Sequence, residues 1–167
     1  MNIGILTISD RCYEGIKEDQ TGPKIKNMIE EQGWNVKVYE MIPDEKEVIK
    51  EKLLSMTEGE IDLVLTTGGT GPGPRDVTPE ATSEVVEKQI PGISEIMRIE
   101  GYKKTKFSVL SRGVCGILKS TLIINLPGSV NGALENLEIL IPILPHAIKV
   151  MKGDISDCSE DIKGNAV

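Results

Sequence analysis

Short apolar runs of strand composition, each closed by a polar turn and followed by a segment of helical period, constrain this chain more than any other feature. Residues 3–8 read Ile-Gly-Ile-Leu-Thr-Ile, a run that suits a strand buried on both faces. Gly22 and Pro23 then open a helix with Ile25, Met28 and Ile29 on one face and Gly33 as its stop. Residues 35–41 alternate through Val36 and Val38 as a second strand, and residues 61–66 form a third. Between them Asp44 and Glu47 have capping-box spacing, ahead of a helix lined by Ile49, Leu53 and Met56. Thr78-Pro79 reads as N-cap and first residue of a further helical segment, 79–101, interrupted at Pro91-Gly92. Residues 107–110 and 114–118 are expected to form a small β-hairpin around Arg112-Gly113, and 121–126 another buried strand. Ser129 starts a long helix that Pro142 and Pro145 kink or restart. The order predicts an α/β fold: a mostly parallel sheet, right-handed crossovers and helices on both faces. One domain over 1–153 is expected, followed by a polar, acidic and loosely ordered tail over 154–167.

Charge and composition narrow the function. The chain has 19 Lys and Arg against 26 Asp and Glu, a formal net charge of −7, which argues against nonspecific nucleic-acid binding and against anionic membranes. Aromatic residues make up 3%, too few for base-stacking platforms. Cys12, Cys115 and Cys158 are widely spaced and the chain has one histidine, His146, so neither a zinc site nor a disulfide framework is expected. The first residues lack the basic start of a signal peptide, and no apolar run is long enough for a bilayer; a reduced cytoplasmic setting is the expectation.

In a parallel sheet the carboxyl ends of the strands are where ligands collect. The sharpest candidate is the run from Thr66 through Thr67, Gly68, Gly69, Thr70 and Gly71 to Arg75 and Asp76, set between a buried strand and a helix. Three glycines in four positions let main-chain N–H groups face a phosphate or other oxyanion. The run is neither a Walker A loop nor G-x-G-x-x-G, and a tight structural turn is its plainer reading. Pro127-Gly128-Ser129 repeats the logic at the next helix N-terminus, where an ordinary capped turn is the alternative. Asp44 and Asp76 end parallel positions. Either can serve as a helix cap or turn brace, or the two can hold magnesium between repelling phosphates. Ser9 and Asp10 lie on the same edge, and Arg75, Ser111, Arg112 and Lys119 are available donors.

The blocks Ser9-Asp10, Ile42-Pro43-Asp44, Thr66 to Gly71, Arg75 to Thr82, Ser111-Arg112 and Asn125 to Ser129 occur together in the order of one family. On them the chain resembles the MogA/MoaB family over roughly residues 1–153, and its adenylyltransferase branch more than the MoaB branch. The resemblance implies a molybdopterin-binding α/β fold and a homotrimer. It also implies an activity that joins molybdopterin to AMP from Mg-ATP with release of pyrophosphate, then a hand-over to a molybdate-inserting protein. By position, Asp44 and Asp76 match the two essential acids and metal ligands. Residues Thr67 to Gly71 match the nucleotide and pterin cradle, with Ser9, Asp10 and Arg75 beside it. Ser111, Pro127, Gly128 and Ser129 match further ligand contacts, Ser111 among the catalytic set. Gly73-Pro74 and a shorter tail depart from the family pattern. The alternatives are a non-catalytic molybdopterin-binding or scaffolding module of the MoaB type, and a different nucleotide enzyme on the same fold, as in the competence-damage type.

Overall fold

The structure, a computed structural model, describes residues 1–153; the expectation for the tail lies outside the described residues. A six-stranded sheet has β1 (Asn2–Ile8), β2 (Asn35–Ile42), β3 (Leu63–Thr67), β4 (Lys88–Gln89), β5 (Cys115–Leu118) and β6 (Thr121–Leu126) in the order β2-β1-β3-β6-β5-β4. The pairs β1·β2, β1·β3 and β3·β6 are parallel, and β5 and β4 extend the edge antiparallel. The helices are α1 (Asp10–Tyr13), α2 (Gly22–Glu31), α3 (Lys46–Met56), α4 (Thr78–Val85), α5 (Pro91–Lys104), α6 (Val130–Leu140) and α7 (Leu144–Met151).

Period-two alternation sorts each central strand between two cores. Ile3, Ile5, Leu63, Leu65, Leu122, Ile124 and Leu126 face one way, onto Ile25 and Ile29 of α2, Met97 of α5, Leu137 of α6 and Ile148 of α7. Leu6, Ile8, Val64 and Ile123 face the other way, onto Ile49 and Leu53 of α3 and Ala81 of α4. Each buried Leu or Ile contributes roughly 1.5–3 kcal/mol. A polar knot locks the rim of this core: Asn125 Nδ2 donates to Thr66 Oγ1 and to Thr82 Oγ1, both at 3.0 Å, and its Oδ1 accepts from the Val114 amide at 3.1 Å.

Three expectations need correction. The hairpin joins β5 to β6 around Lys119, at φ 54°, rather than 107–110 to 114–118. Residues Lys106–Leu110 instead form a 3₁₀ turn, with Phe107, Val109 and Leu110 exposed. The Arg112 turn is held elsewhere: its amide donates to Thr70 O at 2.9 Å, and its guanidinium donates to Gly71 O and Asp76 O and meets Glu80. The N-cap of α3 is Glu45, not Asp44, whose carboxylate accepts instead from the Asp10 amide. The N-cap of α4 is Val77; Thr78 is already helical and donates its hydroxyl to Gly68 O at 3.0 Å.

The chain runs from β1 out to β2 and returns to the other side of β1 as β3, so the order reverses between β1 and β3. The register Thr7↔Thr67↔Leu126 sets the loops after β1, β3 and β6 level on one rim. Loops at such a reversal diverge and leave a crevice beyond the strand ends. Among the described residues, no helix is long and apolar enough to cross a membrane.

Candidate active site

Two hollows flank the glycine loop at this rim. The first, about 240 Å³, is polar and includes Ser9, Asp19, Asp44, Gly68, Gly69, Asp76 and Gly128 in its lining. The second, about 510 Å³, lies between α5, the 3₁₀ turn and α6, and includes Thr70, Gly71, Ser111 and Pro127 to Ser129. Gly128 borders both.

The loop's geometry follows from its glycines. Gly68 has φ 104° and Gly69 has φ 62°, conformations that L side chains rarely adopt. A Cβ on Gly68 would run into the Ile8 carbonyl, and one on Gly128 would lie 3.1 Å from Gly68 Cα, so β1, β3 and the Pro127-Gly128-Ser129 turn meet in close backbone contact. Both turns are tied down through their carbonyl oxygens. Gly68 O accepts from the Thr78 hydroxyl, Gly69 O from the Thr78 amide, Thr70 O from the Arg112 amide and Gly71 O from Arg112 Nε. Pro127 O accepts from the Thr67 hydroxyl at 2.7 Å and Gly128 O from the Thr21 hydroxyl at 3.4 Å. Among the described residues, no turn hydrogen bond is donated by the amides of 68–71 or 128–129, and those of Gly128 and Ser129 stand at the start of α6, where the helix dipole adds about half a positive charge.

The acids are fixed with equal care. Asp10 and Asp44 exchange bonds: the Asp10 amide donates to Asp44 Oδ2 at 2.8 Å, and the Asp44 amide donates to Asp10 Oδ1 at 2.9 Å. Burial pushes the Asp44 carboxyl above the usual carboxylate range, and the nearby charges of Asp10 and Asp76 add to the rise, against the Asp10 amide and Arg75. Asp76 Oδ2 accepts from the Gly73 amide at 2.8 Å. Across the hollow, Asp19 Oδ1 accepts from the Thr21 and Gly22 amides at the start of α2, and Tyr39 donates its hydroxyl to Asp19 Oδ2 at 2.6 Å. Burial pushes Asp19 up, but hydrogen bonding, from the Thr7 side chain first and then from these groups, outweighs it and holds the carboxyl below its ordinary range.

Asp44 and Asp76 thus face one space, with Asp19 and Glu18 against Lys17 as the further charges around it. A polyphosphate entering there meets net negative charge, where burial and the Asp10 and Asp76 charges already raise the Asp44 pKa. Magnesium fits this donor set. Among the described residues no group of three or more His, Cys, Asp or Glu could hold a metal. Two carboxylates leave most of an octahedral shell to phosphate oxygens and water, the usual division for this ion.

Of the residues singled out from sequence, Ser9, Thr67, Gly68, Gly69, Gly128, Asp44 and Asp76 come together in the polar hollow. Thr70, Gly71, Ser111, Pro127 and Ser129 line the other. Ser111 is therefore across the loop from the two acids, and its Oγ accepts from the Gly113 amide at 3.4 Å. Asp10 and Arg75 line neither. Arg75 grips Asp10 at 3.0 Å and Glu45 at 2.8 Å on the outer surface. Lys119 sits in the turn at the amino end of β6, away from this rim. Cys115 is buried and its thiol is pushed up to about 12 by burial. Sequence reasoning missed Asp19, whose spacing to Thr21, Gly22 and Pro23 is the signal of an Asx turn into a Pro-started helix. It also missed Arg112 as a brace and Asn125 as the knot behind the loop.

The chain is similar to known proteins over most of its length. The family model described as "Probable molybdopterin binding domain" matches residues 4–146. The chain is 40% identical over 163 residues to a molybdopterin adenylyltransferase of Helicobacter pylori strain 26695, covering 96% of this chain and 93% of that one. It is 42% identical over 158 residues to the molybdenum cofactor synthesis protein cinnamon of Drosophila melanogaster, covering 93% of this chain but only 26% of that longer protein. The crystal structure of the molybdopterin biosynthesis enzyme MoaB from Thermus thermophilus superposes with a TM-score of 0.86 at 46% identity, covering 91% of this chain and 96% of that one.

Proposed function

This chain belongs to the molybdopterin-binding domain family, and from that membership we propose that it is a molybdopterin adenylyltransferase. The observation that carries the reading is the rim itself: two turns whose carbonyls are tied back and which line hollows that meet at Gly128, with Asp44 and Asp76 in the polar one. Relatives of similar length carry the adenylyltransferase name, which favours turnover over binding alone.

The reaction suits a site without a catalytic base. A phosphomonoester oxygen of molybdopterin attacks the α-phosphorus of ATP, the bond to the β-phosphate breaks, and pyrophosphate leaves with the electron pair. The attacking phosphate is already largely ionised at neutral pH, since its second pKa is about 6. The task left is to align two anions and stabilise charge on the leaving group. The amides of the glycine loop and the α6 N-terminus hold phosphate oxygens in line. The Asp10 amide, by donating a hydrogen bond to Asp44, and the Gly73 amide, by donating one to Asp76, fix the two carboxylates. Asp44 and Asp76 would hold magnesium, which supplies charge neutralisation between the phosphates when bound. Ser111, which lines the second hollow, donates to the ligand held there. A cytoplasmic homotrimer that passes its adenylylated product to a molybdate-inserting protein completes the reading, on family resemblance.

The test is pyrophosphate release from Mg-ATP by the purified chain. Release that requires molybdopterin supports the reading. Molybdopterin binding without release would return the chain to a binding module, and turnover of another nucleotide without molybdopterin binding would replace the reading.

A further inference from the structure

The hollow between α5, the 3₁₀ turn and α6 has one feature that catalysis at the acids does not use. Its sides are mostly apolar, with Met97, Phe107, Leu110 and Ile139, and charged residues such as Arg98, Lys104 and Glu135 also border it. Its lining further includes Ser94 of α5 and Asn136 of α6. Ser94 is 5% exposed and Asn136 is 6% exposed, and neither Ser94 Oγ nor Asn136 Oδ1 has a hydrogen-bond partner. Buried side-chain oxygens are nearly always paired, because an unpaired one gives up its water for nothing. Two such oxygens on facing helices, both lining one cavity, mark a place where a partner comes from outside the chain.

We infer that Ser94 and Asn136 are specificity-determining residues that read the edge of a flat, fused-ring amino-heterocycle seated in this hollow. The inference rests on the adenylyltransferase reading, because pterin and adenine, the two rings that reaction brings, share the required chemistry. Each has two apolar faces, an exocyclic amine that donates, and a ring nitrogen that accepts. Asn136 Oδ1 accepts from the amine, and the Ser94 hydroxyl donates to the ring nitrogen. The apolar sides cover the faces of the ring. Size and polarity assign the ring here: this hollow is about 510 Å³, whereas the one around Asp19, Asp44 and Asp76 is about 240 Å³ and polar. Gly128 borders both, so a ring held here places its phosphate at the amides of the loop.

The test uses the full chain and two ligands in separate arms, pterin-6-carboxylate and AMP, titrated into wild type, Ser94→Ala and Asn136→Leu. One of the two ligands binds wild type and identifies the ring. Each substitution weakens that ligand about 3- to 10-fold, the scale of one neutral hydrogen bond. The melting temperature of the ligand-free variants stays level or rises, because an unpaired buried oxygen has been removed. Unchanged affinity in both variants overturns the inference, as does a drop in melting temperature with affinity intact, which would show that the oxygens serve the fold. Wild type that binds neither ligand also overturns it, and molybdopterin-dependent pyrophosphate release would then still stand. Ring binding weakened by both variants, without pyrophosphate release, would instead sink the adenylyltransferase reading and leave this one.

Discussion

The two hollows beside the glycine loop are prepared in opposite ways. In the polar one, the carboxylates of Asp19, Asp44 and Asp76 each accept at least one main-chain amide. Charge is placed there before any ligand arrives, at the cost of burial that raises the pKa of Asp44, with the Asp10 and Asp76 charges adding to the rise. In the mostly apolar one, two of the lining residues, Ser94 and Asn136, each carry a buried oxygen without a partner. The first arrangement suits stabilising a transition state, because the dipoles need no reorganisation. The second suits selecting a ring. The difference teaches that rate and recognition are separable here, although one loop forms a wall of both.

The largest expected effect tests that separation. Asp76→Ala lowers the rate of pyrophosphate release by about 10²–10³-fold or more, the scale of losing a key electrostatic group. Affinity of the ring ligand stays within about twofold. Asp76→Asn, which keeps an acceptor for the Gly73 amide, loses a similar factor if charge is what matters. Equal losses of rate and ring affinity would merge the two hollows into one function. Gly68→Ala should break both at once. Its positive φ and its contact with the Ile8 carbonyl cost about 2–4 kcal/mol, read as a lower midpoint in urea.

A mirrored pair of pH effects sharpens the contrast within the polar hollow. The Asp19 carboxyl is held below its ordinary value of 3.8, so its contribution to stability is present above that pH and is lost as pH falls through the folded value. Asp19→Asn therefore melts lower than wild type at pH 7, and the curves converge in acid. Asp44 is held above 3.8, so its ionisation costs stability at neutral pH and the cost vanishes once both states are protonated. Asp44→Asn melts higher at pH 7 by about 1–3 °C and gains nothing in acid. Gains or losses of the same sign in both variants would contradict the assigned environments. The smallest effect belongs to Arg75. Its side chain is 57% exposed and engages Asp10 and Glu45 rather than either hollow. Arg75→Gln should leave the melting temperature nearly unchanged and change the rate less than tenfold. A loss on the scale of Asp76→Ala would restore Arg75 as a phosphate contact.

Much of this was legible in the sequence because the informative features are local. Buried runs such as 63–67 and 121–126, the turn glycines, and the acids that follow the strands fix the sheet and its rim. The misread elements were decided by distant partners. Arg112 looked like a hairpin turn because Phe107 to Leu110 is apolar, yet its side chain is drawn to Gly71 and Asp76, more than thirty residues away. Asp44 had the spacing of a cap, but Asp10 supplies the better partner. That Ser94 and Asn136 line one hollow depends on how α5 and α6 pack, which no local pattern encodes.

A crystal structure of the chain with AMP and magnesium is the most direct measurement. The account predicts the α-phosphate within hydrogen-bonding distance of the Gly68 or Gly69 amide, in the space that Asp44 and Asp76 face. An α-phosphate bound elsewhere, with those amides and both carboxylates left to solvent, would contradict it.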